Sequence, residues 1–148
     1  MKVHFKILII FFLFQTSYLF ACSCSVMNDV KTEFKNSDIV LVGKVISKQE
    51  IDSEKGKINK FQVKVYRFYK GLNEKKTVAV YSPKGASSCG VNFEIGKVYI
   101  LYGFEDGVFE RYKTGKFAKS ETYWTSRCHR NRKYSKQEIS LIKKIATN

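Results

Sequence analysis

Proline occurs once, tryptophan once and histidine twice in these 148 residues, and 13 acidic side chains face 27 basic ones. Each shortage excludes something. With Pro83 alone and nine scattered glycines, nothing resembles a Pro- or Gly-rich linker, so no domain boundary is expected after the first 21 residues. Neither an internal repeat nor a low-complexity segment is present. Paired carboxylates, a phosphate-cradling glycine loop and a nucleophile constellation are all missing, so the chain reads as not an enzyme and calls for no cofactor.

The long apolar run is confined to the N-terminus. Lys2 and Lys6 supply a positive start, Ile7 to Phe14 an apolar stretch, and Tyr18-Leu19-Phe20-Ala21 a stop ending on a small residue. That pattern is a secretory signal. A retained anchor is the rival, but the run is short of the roughly 20 residues that span a bilayer, and Gln15, Thr16 and Ser17 interrupt it. Cleavage after Ala21 takes 21 residues from 148 and leaves a single domain of 127. Such a protein would be secreted, periplasmic or held at the cell surface. Without Lys2 and Lys6, 25 basic side chains face 13 acidic ones, a net of +12. This charge favours anionic polymers or membrane surfaces through salt-sensitive attraction. Arg127, Arg130, Arg132 and Lys133 form the densest basic cluster and would hold a polyanion by counterion release. A solvated basic face is the plainer reading, and no specific nucleic-acid partner is implied.

All four cysteines, Cys22, Cys24, Cys89 and Cys128, follow the leader. In an exported chain an even count implies two disulfides. Cys22 and Cys24 are too close to bridge one another without strain, which leaves two connectivities open. A zinc site built from these cysteines and His129 fits poorly, because ligand cysteines usually lie two to four residues apart. A Cys–His hydrolase fits worse, since Cys128 and His129 are strand neighbours that face opposite ways. His129 reads as a surface residue. Leu19-Phe20-Ala21-Cys22 also resembles a lipoprotein cleavage box, although Phe20 is bulky for it. Lipid on Cys22 would consume its thiol, acylate its amine and leave Cys89 unpaired, which the even cysteine count opposes.

Val26 to Lys35 suggests a short helix capped by Asn28, with Val30 and Phe34 on one face. Ser37 to Ser47 reads as a strand, apolar without a break from Ile39 to Val42 and therefore covered on both faces. Gln49 to Lys60 is polar and reads as a loop. Phe61, Val63, Val65 and Tyr69 give a period-2 strand up to Lys70. Thr77 to Tyr81 is a further strand, Ser82 to Gly90 a loop, Lys97 to Phe104 a strand, and Glu121 to His129 another. Asp106-Gly107 signals a turn, while Val108 to Lys119 fits strand or loop. Ser135 and Glu138 form a capping-box pattern before a helix striped by Ile139, Ile142 and Ile145, with Leu141 beside it. About five strands, a small helix at each end and no βαβ alternation suit an all-β-dominated, OB-fold-like Greek-key barrel of antiparallel strands.

The order of these pieces resembles a known family. Cys22-Ser23-Cys24-Ser25, Phe34-Lys35-Asn36-Ser37-Asp38-Ile39-Val40 and Gly43-Lys44-Val45 are similar to the start of a mature tissue inhibitor of metalloproteinases. Tyr81-Ser82-Pro83, Ser87-Ser88-Cys89-Gly90, Gly96 and Tyr99-Ile100-Leu101 resemble its middle, and Cys128 closes the match. The resemblance implies a netrin-like OB fold with Cys22 paired to Cys89 and Cys24 to Cys128. It also implies a zinc metalloprotease as partner. In that family the first cysteine's free α-amine and carbonyl oxygen chelate the protease's zinc, occupying the position a catalytic zinc keeps open. With an unperturbed pKa of about 8 the amine is readily neutral for this. Ser23 would enter the specificity pocket, while Cys24, Ser25 and a ridge at Ala86, Ser87 and Ser88 fill the rest of the cleft. The alternative is a netrin-like binding module, or a lipoprotein anchored at Cys22, without inhibitory activity. Two departures stand out. Lys35 occupies the place of a third disulfide's cysteine, and a basic helix stands where vertebrate members carry a second domain.

Overall fold

A computed structural model describes residues 22–24, 26–53, 56–71, 75–105 and 122–147. The leader expected over residues 1–21, Ser25 and the segment 108–119 lie outside the described residues.

The first helix, α1 (Val30–Asn36), is capped by Asp29, one residue beyond the expected cap, and begins at Val30, four residues beyond the expected start. Asp29 Oδ1 accepts the Thr32 amide at 2.7 Å. Its negative charge suits the positive end of a helix better than a neutral amide does. Asn28 turns its amide to Glu33 instead. Ser37 ends the helix, its hydroxyl donating to the Glu33 carbonyl at 2.8 Å.

Strands β1 (Ile39–Ser53) and β2 (Gly56–Lys70) form one long antiparallel hairpin. The stretch expected to loop, Gln49 to Lys60, is therefore mostly strand. Its polar side chains pair across the ladder: Ile51 lies opposite Ile58, and Glu50 accepts from Lys57 at 2.8 Å. Cross-strand pairs of this kind stabilise a sheet without any apolar alternation to announce them. The alternation along β2 is also broken. Pairing with β1 skips Tyr66 and Tyr69, so Phe61, Val63, Val65 and Phe68 meet one core while Tyr69 joins the other. A bulge shifts the phase of all that follows it.

Strands β3 (Thr77–Pro83), β4 (Val98–Gly103), β5 (Thr122–Trp124) and β6 (Arg132–Lys133) complete a six-stranded sheet ordered β5-β3-β2-β1-β4-β6. Phe104 and Trp124 exchange two backbone hydrogen bonds of 2.9 and 2.8 Å. The end of β4 thus meets β5, and strands β1 to β5 curl into an OB-like barrel with β6 added on β4. The expected all-antiparallel arrangement has one exception, since β3 and β5 run parallel. No hairpin joins them, so no turn dictates their direction. The strand expected over Glu121 to His129 is confined to β5, and β6 is too short for periodicity to reveal.

The barrel interior packs Ile39, Leu41, Phe61, Val63, Val80, Leu101 and Tyr123 among others. A second core lies between sheet and helices, joining Val40, Val42, Ile100 and Tyr102 to Val30 and to Ile139 and Ile142 of α2 (Lys136–Ala146). The Ile39–Val42 run is thereby covered on both faces. Ser135 caps α2 by accepting the Glu138 amide. Glu138 does not reach back to complete the capping box, for its carboxylate turns inward to Tyr102, Arg130 and Arg132. Leu141 falls off the apolar stripe and is 43% exposed.

Candidate functional site

Two loops converge on the N-terminal segment at one end of the barrel. Cys22 is bonded to Cys89 in the loop after β3, and Cys24 to Cys128 in the loop after β5, each pair with Cα atoms 5.2 Å apart. The closures span 67 and 104 residues, each worth about 4 to 5 kcal/mol in a chain-entropy account. The four sulfurs lie within 4.8 Å of one another. Both pairs are bonded as disulfides, and a disulfide sulfur is not the thiolate a metal needs, which argues further against the zinc site that already fitted the spacing poorly. Ser23 stands exposed between the two bridges, Cys24 is exposed and Cys22 half-buried. Val26 follows at 93% exposure and Met27 at 49%.

The ridge residues Ala86–Ser88 form a single 3₁₀ turn, with Ser87 and Ser88 exposed beside the bridge at Cys89. Three contacts hold this loop. The Gly90 amide donates to Gly85 O at 2.9 Å, Val91 N donates to the buried Ser82 hydroxyl at 2.9 Å, and Arg127 N donates to Cys89 O at 2.8 Å. Cys89 adopts φ 57°, a left-handed conformation uncommon outside glycine and asparagine. Gly90 has no room for a side chain, since a Cβ would lie 2.0 Å from Pro83 O. The β1–β2 hairpin leans on the same loop, where Lys84 pairs with Glu50 at 2.5 Å and donates its amide to Lys57 O at 2.9 Å.

The second loop is anchored by residues that sequence reasoning did not single out. The Tyr102 amide donates to Asn131 Oδ1 at 3.0 Å, and its carbonyl accepts the buried Thr125 hydroxyl at 2.9 Å. Among the described residues no strand continues along this edge of β4, and these side chains satisfy the Tyr102 amide and carbonyl there. Asn131 also donates to Thr125 Oγ1 at 2.6 Å and to Ser126 O at 3.1 Å. Ser126 in turn accepts the Cys128 amide with its hydroxyl. No local pattern marks this network, because its members meet only through the fold.

His129 is not the free surface residue expected. Its side chain is 18% exposed, lies 2.9 Å from Glu33 Oε1 through Nδ1 and stacks on Phe104 at 4.2 Å. Burial pushes the Glu33 carboxyl upward, but hydrogen bonds from His129 and Asn28 outweigh it and hold the group below its ordinary range. The basic cluster is likewise committed. Arg130 and Arg132 both bind Glu138, at 3.2 and 2.7 Å, and Lys133 binds Glu94 at 2.6 Å. Arg127 is the exposed remainder, so three of the four cationic groups already hold a carboxylate partner.

A small barrel with residues 22–24 strapped across one end by two disulfides defines a class, the netrin-like OB domain. Residues 20–134 match the family described as Tissue inhibitor of metalloproteinase. The chain belongs to that family. Among curated relatives it is similar to metalloproteinase inhibitor 2 of Homo sapiens, 30% identical over 95 residues, covering 59% of this chain and 42% of the relative. The same inhibitor of Bos taurus is 32% identical over 95 residues, with the same coverage. The tissue inhibitor of metalloproteinase of Drosophila melanogaster is 31% identical over 87 residues, covering 56% of this chain and 40% of the relative. The chain thus spans about two fifths of these relatives' length.

Proposed function

We propose that this domain is an exported inhibitor of a zinc metalloprotease, acting through its N-terminal segment once a leader ending at Ala21 is removed. One observation carries the reading. Cys22 and Cys24 are both bridged to the barrel while Ser23 stands exposed between them. A free Cys22 amine and carbonyl held this way form a rigid N,O pair suited to the open position of a catalytic zinc. Ser23 then enters the pocket beside the metal. Cys24 and Ser25 continue along the cleft, with Ala86, Ser87 and Ser88 as a second contact ridge. Rigidity supports the reading too, because a segment ordered beforehand loses less entropy on binding. The Cys22–Cys89 bridge speaks against lipid anchoring, which would consume the same thiol.

Mass spectrometry of the mature protein tests this first. An unmodified N-terminal Cys22 with two disulfides is expected, and diacylglycerol on Cys22 sinks the proposal. Placing one alanine before Cys22 is then expected to abolish inhibition of a zinc endopeptidase, and retained inhibition would rule out chelation by the amine.

A further inference from the structure

We infer that Glu33, His129 and Arg130 form a positioning clamp that orders the N-terminal segment for binding, an inference that rests on the inhibitory reading above. The segment leaving Cys24 runs through Ser25, Val26 and Met27 to Asn28. Its first residue is bonded to Cys128. Its last is held by the next two residues of the same loop. Arg130 Nη1 donates to Asn28 O at 3.0 Å. The Asn28 amide donates to Glu33 Oε2 at 2.8 Å, and His129 Nδ1 engages the other oxygen of that carboxylate at 2.9 Å. Three consecutive residues, Cys128, His129 and Arg130, therefore hold Cys24 on one side and Asn28, directly and through Glu33, on the other.

Between these holds Val26 is 93% and Met27 49% exposed, so neither is packed into the core. A disulfide fixes sulfur positions but leaves rotation about its side-chain bonds, so the bridge at Cys24 does not by itself set the backbone as far as Asn28. The remaining order comes from the clamp. Stability alone does not account for it either. Glu33 is 1% exposed, and replacing both members of a buried polar pair by apolar groups of the same shape is often neutral or stabilising for a fold. A polar clamp is directional, so it selects one backbone path where an apolar contact tolerates several.

The test uses the full mature protein with both disulfides verified by mass. His129→Ala is expected to raise hydrogen–deuterium exchange in peptides covering residues 24–31 while leaving β1 to β4 unchanged, and to weaken inhibition of a zinc endopeptidase about ten-fold. His129→Gln, which keeps a donor toward Glu33, is expected to restore both. Asn28→Ala removes an exposed member of the clamp while His129 still engages Glu33, and should also raise exchange in residues 24–31 should His129→Ala fail to fold. Unchanged exchange in residues 24–31, or a rise spread evenly over the whole barrel, overturns the clamp. Exchange needs no protease, so a wild type that inhibits nothing while its variants loosen locally counts against the inhibitory reading alone.

Discussion

Thr125→Val removes one oxygen from a side chain that is wholly buried, and its consequence can be worked out from the contacts that oxygen makes. Thr125 Oγ1 donates to Tyr102 O at 2.9 Å and accepts from Asn131 Nδ2 at 2.6 Å. Valine fills the same volume, so no cavity opens. The Tyr102 carbonyl is left without its donor, because among the described residues no further strand lies beside β4 at this point and the Tyr102 amide is already bound to Asn131. Asn131 keeps its bond to Ser126 O, so only one group is fully orphaned. A lost hydrogen bond of about 1 kcal/mol and an unsatisfied buried acceptor of about 1 to 3 kcal/mol give a loss of roughly 2 to 4 kcal/mol. For a domain of this size that is a fall of about 8 to 16 °C in Tm. Thr125→Ser keeps the oxygen, loses one methyl and should cost about 1 kcal/mol. Thermal unfolding with the disulfides intact measures both. Thr125→Val within 0.5 kcal/mol of wild type, or a serine variant as damaged as the valine one, would refute the role given to this hydroxyl.

Two further outcomes follow from the same geometry. Gly90→Ala should destabilise by about 3 kcal/mol or more and distort the ridge loop, because the new Cβ meets the backbone oxygens of Pro83 and Gly85 at 2.0 and 2.8 Å and neither can rotate away; a chemical denaturation midpoint matching wild type would contradict this. Glu33 has a folded-state pKa below its ordinary value of 4.5, so its contribution is fully present above that value and is lost as pH falls through the depressed one. Glu33→Gln should therefore flatten the stability profile on the acid side. A wild type and variant that lose stability in parallel below pH 4.5 would show that Glu33 is not a source of the acid sensitivity.

Legibility tracked the range of each interaction. The Ile39–Val42 run, the alternation at Phe61, Val63 and Val65 and the Ser135 cap are local, since each depends on residues within a turn or a strand of one another. The hairpin arm from Gln49 to Lys60 was hidden because its strand pairing relies on Glu50, Lys57 and the Ile51–Ile58 pair, whose composition resembles a loop until the strands meet. The phase change at Tyr66 was hidden because a bulge is a property of two strands in register. Asn28 and Asp29 both suit a cap, and charge decided between them. Around the site, the cysteines announced themselves by parity and position, while Thr125, Ser126 and Asn131 carried no signal at all.

Cysteine count and spacing determined that this chain forms two bridges and that Cys22 and Cys24 do not share one, because a single intervening residue cannot be spanned without strain. Those facts left two connectivities, and the resemblance to a family pointed to one of them. The tertiary structure brings the loop after β3 to Cys22 and the loop after β5 to Cys24, since the barrel closes through Phe104 and Trp124 and sets both loops at the same end. It likewise decided the state of His129, which the sequence places in a run of basic residues. Its partner Glu33 lies 96 residues away, and only packing α1 against the barrel brings a buried carboxylate to that imidazole.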